Sequence, residues 1–210
     1  MIKSRLAEYY GDDFVVGLYK NFVFDILETV KGGNYRLQIY FHPPEKEAKI
    51  KKLLAADYQY RSQRGADLGE RMKNAFADCF AEGFDSAVLI GSDFPDLPRK
   101  IIDDAFGALE GAGDAVIGPA ADGGYYLIGL KNEKMLPDIF SGLNWSAASV
   151  FSDTVKILEA RGKSTGILPL WRDVDTRDDL INFVERNKSA PFARSRTMKY
   201  LAASRIFCDV

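Results

Sequence analysis

Three aspartates, Asp93, Asp96 and Asp122, lie just past short apolar runs, and that placement could give them chemistry. Ser86–Gly91 reads as a strand buried on both faces and ends in Ser92-Asp93-Phe94-Pro95-Asp96. Ala115–Ile117 is a second run, closed by Gly118-Pro119, and Asp122-Gly123-Gly124 leads into a third, Tyr125–Leu130. In α/β sheets, ligands sit beyond the carboxyl ends of the strands. Carboxylates there suit Mg²⁺ or Mn²⁺, hard cations that prefer oxygen and usually keep phosphate as a further ligand. Asp93 would serve equally well as a cap for the helix that Pro98 opens. Asp173-Val174-Asp175-Thr176 could supply a second carboxylate, although its local pattern favours a plain N-cap at Asp175 or Thr176.

The other candidates divide in the same way. Two glycines before a strand suit positive φ or close approach to a ligand, and they also suit a plain tight turn. If the first holds, Gly124→Val should do far more damage than Gly113→Val. Tyr125 and Tyr126 should point to opposite faces of their strand, one toward a cleft and one into the core. Gln63–Arg71 puts two glycines and two arginines at a helix start, which suits an anion or an ordinary salt-bridged loop. Lys3 and Arg5 can bind phosphate or belong to a frayed basic terminus. Trp145 can stack on a sugar or base, or tuck against the core. His42, the one histidine, has no Ser or Cys that can be placed beside it and receives no catalytic role.

The elements that must position these residues follow from periodicity. Phe14–Val30 has helical spacing and a broad apolar face that calls for a sheet beneath it. Tyr35–Phe41 alternates as a strand, Glu45–Leu54 is a charged helix, Tyr58–Gln63 a weak strand and Leu68–Phe80 a helix. Met135–Phe140 is a short helical turn, Ser146–Arg161 a longer helix and Ser164–Leu168 a strand. Thr176-Arg177-Asp178-Asp179 has the composition of a capped start for a helix ending near Arg186. Strands alternating with helices mean a layered α/β sheet, mostly parallel. The 210 residues, 47% hydrophobic with net charge −2, suit one domain with a sizeable core and give no reason to expect nucleic acid. Cys79 and Cys208 lack metal spacing, and Cys79 reads as a core residue. No apolar run is long enough to span a bilayer, and a cytoplasmic location is expected. Residues 188–210 gather Lys188, Arg194, Arg196, Lys199 and Arg205 against Asp209 alone, a basic tail expected to be helical.

Four blocks together carry a likeness: Gln63…Asp67-Leu68-Gly69-Glu70-Arg71-Met72, Ile90-Gly91-Ser92-Asp93-Phe94-Pro95-Asp96-Leu97, Gly118-Pro119-Ala120-Ala121-Asp122-Gly123-Gly124-Tyr125-Tyr126, and Asp173-Val174-Asp175-Thr176…Asp179-Leu180. In that order they resemble the DUF2064 family, a branch of the GT-A-type nucleotide-diphospho-sugar transferases. The chain is similar, more distantly, to molybdenum-cofactor and 2-phospholactate nucleotidyltransferases. The resemblance runs from Ile2 to about Asn187, so residues 1–187 are expected to form the transferase domain. It implies a three-layer α/β sandwich of GT-A type and a metal-dependent transferase using a nucleotide-activated donor. Glycosyl transfer to a small-molecule acceptor is the first reading, nucleotidyl transfer the second, and a non-catalytic nucleotide-binding protein the third. By the resemblance Asp93 and Asp175 hold Mg²⁺ or Mn²⁺, and Asp122 or Asp175 acts on the acceptor. Lys3 and Arg5 match a Lys-Thr-Arg-Leu motif, with Ser4 replacing the threonine, and would face the phosphates. Gly123, Gly124, Tyr125 and Trp145 would line the substrate pocket, with Ala147 departing from the family's Trp-Ser-Thr. Family members carry a buried strand and a Gly-Pro loop before the Lys-Thr-Arg motif. The resemblance therefore implies an upstream strand between 35–41 and 86–91, whose loss leaves a gap of roughly 9–10 Å or forces re-pairing.

Overall fold

The computed structural model describes residues 3–54, 58–204 and 206; Arg205, Cys208 and Asp209 lie outside them. The chain divides into two compact units, one of residues 32–90 and 100–170, the other of 1–31, 91–99 and 171–210.

The first unit carries all the described strands. β1 (Gln38–Phe41) pairs in parallel with β2 (Gln59–Ser62). A four-stranded sheet has the order β3 (Ser86–Ile90), β5 (Tyr125–Lys131), β4 (Ala115–Pro119), β6 (Thr165–Ile167). β4 and β6 are parallel, and β5 is antiparallel to both its neighbours, so only β5 runs against the rest. β4 and β5 are buried on both faces, as continuous apolar runs require. Ala115, Ile117, Ile128 and Leu130 face one side, where they meet Phe76 and Phe80 of α4 (Leu68–Ala81) and Leu158 of α6 (Val150–Ala160). On the other side Val88, Val116 and Gly129 lie against Leu109 of α5 (Arg99–Glu110). Helices on both faces make the three layers. α3 (Glu47–Leu54) follows a 3-10 turn at Pro44–Lys46.

β3 departs from the reading of a strand buried on both faces. It ends the four-stranded sheet, and each of its residues is partly exposed. β1 and β3 stand in separate sheets, with no re-pairing between them among the described residues.

The second unit is helical. α1 (Ser4–Tyr10), which periodicity missed, is followed by α2 (Asp12–Val30), α7 (Arg177–Asn187) and α8 (Arg196–Ser204). Within this unit the apolar stripe of α2 is covered by α1, α7, α8 and Val174. Val15, Leu18 and Phe22 pack with Leu6, Val174, Leu180, Phe183 and Leu201. The buried Asp25 on α2 accepts the backbone N–H groups of Arg196 and Thr197 at 2.9 and 2.8 Å. It thereby caps the start of α8, satisfying donors that a helix cannot satisfy itself.

Candidate active site

The helical unit brings together four charged residues from three distant stretches. Lys3 Nζ lies 2.8 Å from Asp93 Oδ1 and 3.6 Å from Asp175 Oδ1, and Arg5 Nη1 lies 3.3 Å from Asp175 Oδ2. The Lys3 side chain is 5% exposed, while Asp93 and Asp175 are open at 45% and 35%. Lys3 precedes α1 with φ 54 and ψ 54, the one described non-glycine residue at positive φ. For an L-residue that conformation costs roughly 1–2 kcal/mol. Among the described residues Lys3 Nζ has no hydrogen-bond partner beyond this ion-pair contact with the carboxylates.

Backbone geometry places the two carboxylates. Val174 N–H donates to the Asp93 carbonyl at 3.1 Å, joining the loop after β3 to the segment before α7. The helix cap falls on Thr176, not on Asp175: Thr176 and Asp179 form a reciprocal capping box. That leaves the Asp175 carboxylate for Lys3 and Arg5. Among the described residues Asp93 caps no helix either. Its neighbour Ser92 is hydrogen-bonded, Oγ to hydroxyl at 2.5 Å, to Tyr19 of α2. Burial pushes the Tyr19 phenol up; the bond to Ser92 opposes this and the charge of Asp93 adds to it. Sequence reasoning missed Tyr19, which sits in an ordinary amphipathic stripe with its partner 73 residues away.

Asp96 is corrected. Its carboxylate, 4% exposed, accepts from Trp171 Nε1 at 3.0 Å, Arg186 Nε at 2.8 Å, Arg186 Nη2 at 3.3 Å and Asn187 Nδ2 at 2.7 Å. With its lone pairs so engaged it ties the loop to α7 and is no cation ligand.

The sheet unit holds the remaining candidates. Asp122 is exposed and its Oδ1 accepts Gly124 N–H at 2.9 Å, a local turn. The conformational demand falls on Gly123, at φ 92, where a Cβ would lie 2.0 Å from the Ala148 carbonyl oxygen. At Gly124 the nearest atom to a Cβ is Asp122 Oδ1 at 3.3 Å, whereas at Gly113 it is the Ala108 carbonyl at 2.7 Å, so a Cβ has less room at Gly113 than at Gly124.

Tyr125 and Tyr126 take opposite faces, as successive strand residues do, next to a register shift between Gly118 and Pro119. The Tyr126 ring lies on the bare backbone of Gly118 and its hydroxyl donates to the Pro169 carbonyl at 2.9 Å. Tyr125 packs edge-to-face on Trp145, centroids 6.3 Å apart, and both rings lean on the core beneath α4. The Trp145 ring also closes over Gly69. Both rings are thus engaged in packing.

The start of α4 is already supplied with anions. Asp67 accepts Glu70 N–H at 2.8 Å, Glu70 accepts Ala66 N–H at 2.8 Å, and Arg64 pairs with Asp78. The segment is the salt-bridged loop, not a phosphate cradle. Burial raises the Cys79 thiol, in keeping with its reading as a packing residue.

Among the described residues no helix is long and apolar enough to cross a membrane. A family model described as "Uncharacterized protein conserved in bacteria (DUF2064)" matches residues 26–147. No curated protein sequence matches the chain. A crystal structure from Desulfovibrio desulfuricans G20, described as a "putative nucleotide-diphospho-sugar transferase", is 39% identical with a TM-score of 0.93, over 97% of this chain and 88% of that one. Molybdopterin-guanine dinucleotide biosynthesis protein A from Archaeoglobus fulgidus is 15% identical with a TM-score of 0.52, over 79% and 84% of the two chains. A 4-diphosphocytidyl-2C-methyl-D-erythritol synthase from Anaerococcus prevotii DSM 20548 is 12% identical with a TM-score of 0.55, over 80% and 86%. At such identities the last two speak for the fold alone.

Proposed function

The chain belongs to the DUF2064 family and has the α/β fold of GT-A-type nucleotide-diphospho-sugar transferases, and from that premise we propose a metal-dependent transferase that moves a glycosyl group from a nucleotide-diphospho-sugar to a small-molecule acceptor. The observation that carries the reading is the cluster of Lys3, Arg5, Asp93 and Asp175.

The donor set fits Mg²⁺ or Mn²⁺. Asp93 and Asp175 are hard oxygen donors at the end of β3 and before α7, both partly open to solvent. One or two carboxylates, completed by substrate phosphate and water, is the usual protein share of a Mg²⁺ site. When bound, the cation would supply charge stabilisation to the leaving nucleotide diphosphate. Lys3 and Arg5 would bind the phosphates, Lys3 as a point charge and Arg5 with a planar fork. Asp175 would orient the acceptor hydroxyl or take its proton, and Asp122 is the rival for that role.

The test is calorimetry with a panel of nucleotide-diphospho-sugars in the presence of Mn²⁺. Asp93→Ala is expected to abolish metal-dependent binding with a native circular dichroism spectrum, and to lower the melt because the buried Lys3 ammonium loses its partner at 2.8 Å. Unchanged affinity in the variant would remove the assignment. Turnover with nucleotide-diphospho-sugars against nucleoside triphosphates decides the reaction: nucleoside diphosphate release supports glycosyl transfer, whereas pyrophosphate release moves the reading to nucleotidyl transfer. Comparing Asp122→Asn with Asp175→Asn in the same assay assigns the acceptor carboxylate.

A further inference from the structure

Lys3 occupies the place where a cation bridging Asp93 and Asp175 would have its charge. Its ammonium reaches both carboxylates, at 2.8 and 3.6 Å, and with Arg5 it brings the four side chains to zero net charge. The side chain is 95% withdrawn from solvent, so the ammonium cannot simply turn outward into water. A buried ammonium that loses its carboxylate is left uncompensated, which is strongly unfavourable. A divalent cation arriving alone must therefore displace a buried charge that has nowhere to go. A phosphate-bearing ligand changes this by offering Lys3 another anion.

We infer that Lys3 is an internal counterion that makes cation binding at Asp93 and Asp175 conditional on a phosphate ligand. The inference rests on the proposed metal site and specifies its order of assembly. Lys3 holds the two carboxylates together in the free protein, moves onto the incoming phosphate, and so opens the carboxylates to the cation. Linkage then requires that cation and phosphate ligand strengthen each other's binding. Lys3 has opposite effects on the two ligands: it weakens the cation alone and strengthens the phosphate.

The experiment uses the whole chain and Mn²⁺ as the probe, with free ion counted by electron paramagnetic resonance in the absence of nucleotide. Lys3→Met, which keeps the stem and drops the charge, is expected to bind Mn²⁺ at least about tenfold more tightly than wild type, while binding nucleoside diphosphate more weakly. Lys3→Arg, which keeps the charge, should stay as weak toward Mn²⁺ as wild type. The gain in Lys3→Met must vanish when Asp93→Asn is added. A role for Lys3 in the fold alone would weaken both ligands together. A second measurement needs no variant. In wild type free of phosphate, trace acetylation followed by mass spectrometry should find Lys3 protected, and labelling should rise only as excess Mn²⁺ is forced onto the carboxylates. If Lys3→Met binds Mn²⁺ no more tightly than wild type, or if Mn²⁺ without phosphate fills the site with Lys3 still protected, the inference falls and the metal site stands. If neither protein binds Mn²⁺ with or without nucleotide, the proposed metal site falls and takes the inference with it.

Discussion

Replacing Gly123 by alanine should destabilise the sheet unit by about 3–5 kcal/mol. The backbone there stands at φ 92, and a side chain at positive φ costs roughly 1–2 kcal/mol. The added methyl would also sit 2.0 Å from the Ala148 carbonyl oxygen and 2.6 Å from its carbon, both of them backbone atoms. The turn can make room only by moving off the segment that leads into α6. That movement strains three backbone hydrogen bonds: Gly123 N–H to Ala120 O at 3.1 Å, Phe151 N–H to Gly123 O at 2.9 Å, and Ala120 N–H to Gly124 O at 2.9 Å. At about 1 kcal/mol net for each bond lost, two or three of them bring the total to the stated range. Two controls separate the contributions. Gly142 has φ 74 and open space around a Cβ, so Gly142→Ala should cost only the backbone share, about 1–2 kcal/mol. Gly124 has ordinary φ, and Gly124→Ala should cost less than about 1 kcal/mol, in the range of a change free of such strain. Urea denaturation followed by circular dichroism would measure all three. An order other than Gly123 above Gly142 above Gly124, or a Gly123→Ala variant within about 1 kcal/mol of wild type, would refute the reasoning, since no steric conflict of that size can be that cheap.

Asp96→Ala strands the donors of Trp171, Arg186 and Asn187 in a nearly closed site and should cost about 3–5 kcal/mol in the same assay, with Asp96→Asn milder because one acceptor oxygen survives. Thr176→Ala removes half of the capping box of α7 and should cost about 1 kcal/mol, a drop of roughly 2–4 °C in a thermal melt. Burial pushes the Tyr126 phenol up to about 12 from an ordinary 10.0, so the unfolded chain loses this proton first. Stability should therefore be constant with respect to this group below pH 10 and fall as pH rises from about 10 to about 12. Tyr126→Phe should flatten that part of the alkaline slope in urea midpoints taken at pH 9, 10 and 11, and an unchanged slope would remove Tyr126 from the account.

The elements whose signal is local were legible in the sequence. The apolar period of α2, the apolar runs of β4 and β5, and the Thr176 cap all depend on residues within a few positions of one another. The placing of acids beyond strand ends was also legible, and it located Asp93 and Asp122. The sharing of work among those acids was not. Asp93 and Asp96 are three positions apart and of the same type, yet one meets Lys3 and the other meets donors 75, 90 and 91 residues away. Local sequence says nothing of such partners. The exposure of β3 was misjudged for the same reason, since an apolar run gives no account of how many strands flank it. Gly123 and Gly124 exchanged roles because the deciding atom, the Ala148 carbonyl, belongs to a loop 25 residues on.

The helical unit is assembled from the two ends of the chain. Leu6, Val15, Leu18 and Phe22 come from the first helices, and Val174, Leu180, Phe183 and Leu201 come from the last. During synthesis the apolar stripe of α2 therefore leaves the ribosome with α1 beside it but long before Val174, α7 and α8, which supply the rest of its cover within this unit. At about 5–20 residues per second, the wait from the end of α2 to Leu201 is roughly 10–30 s. The same delay holds for the charge cluster, because Lys3 is made early and Asp175 late. The sheet unit is complete by residue 170 and can close first, so the nascent protein passes through a state with a finished sheet and an unfinished helical unit. Chaperone demand should fall on that interval, and a nascent chain arrested just short of residue 171 would display α2 without its partners from Val174, α7 and α8.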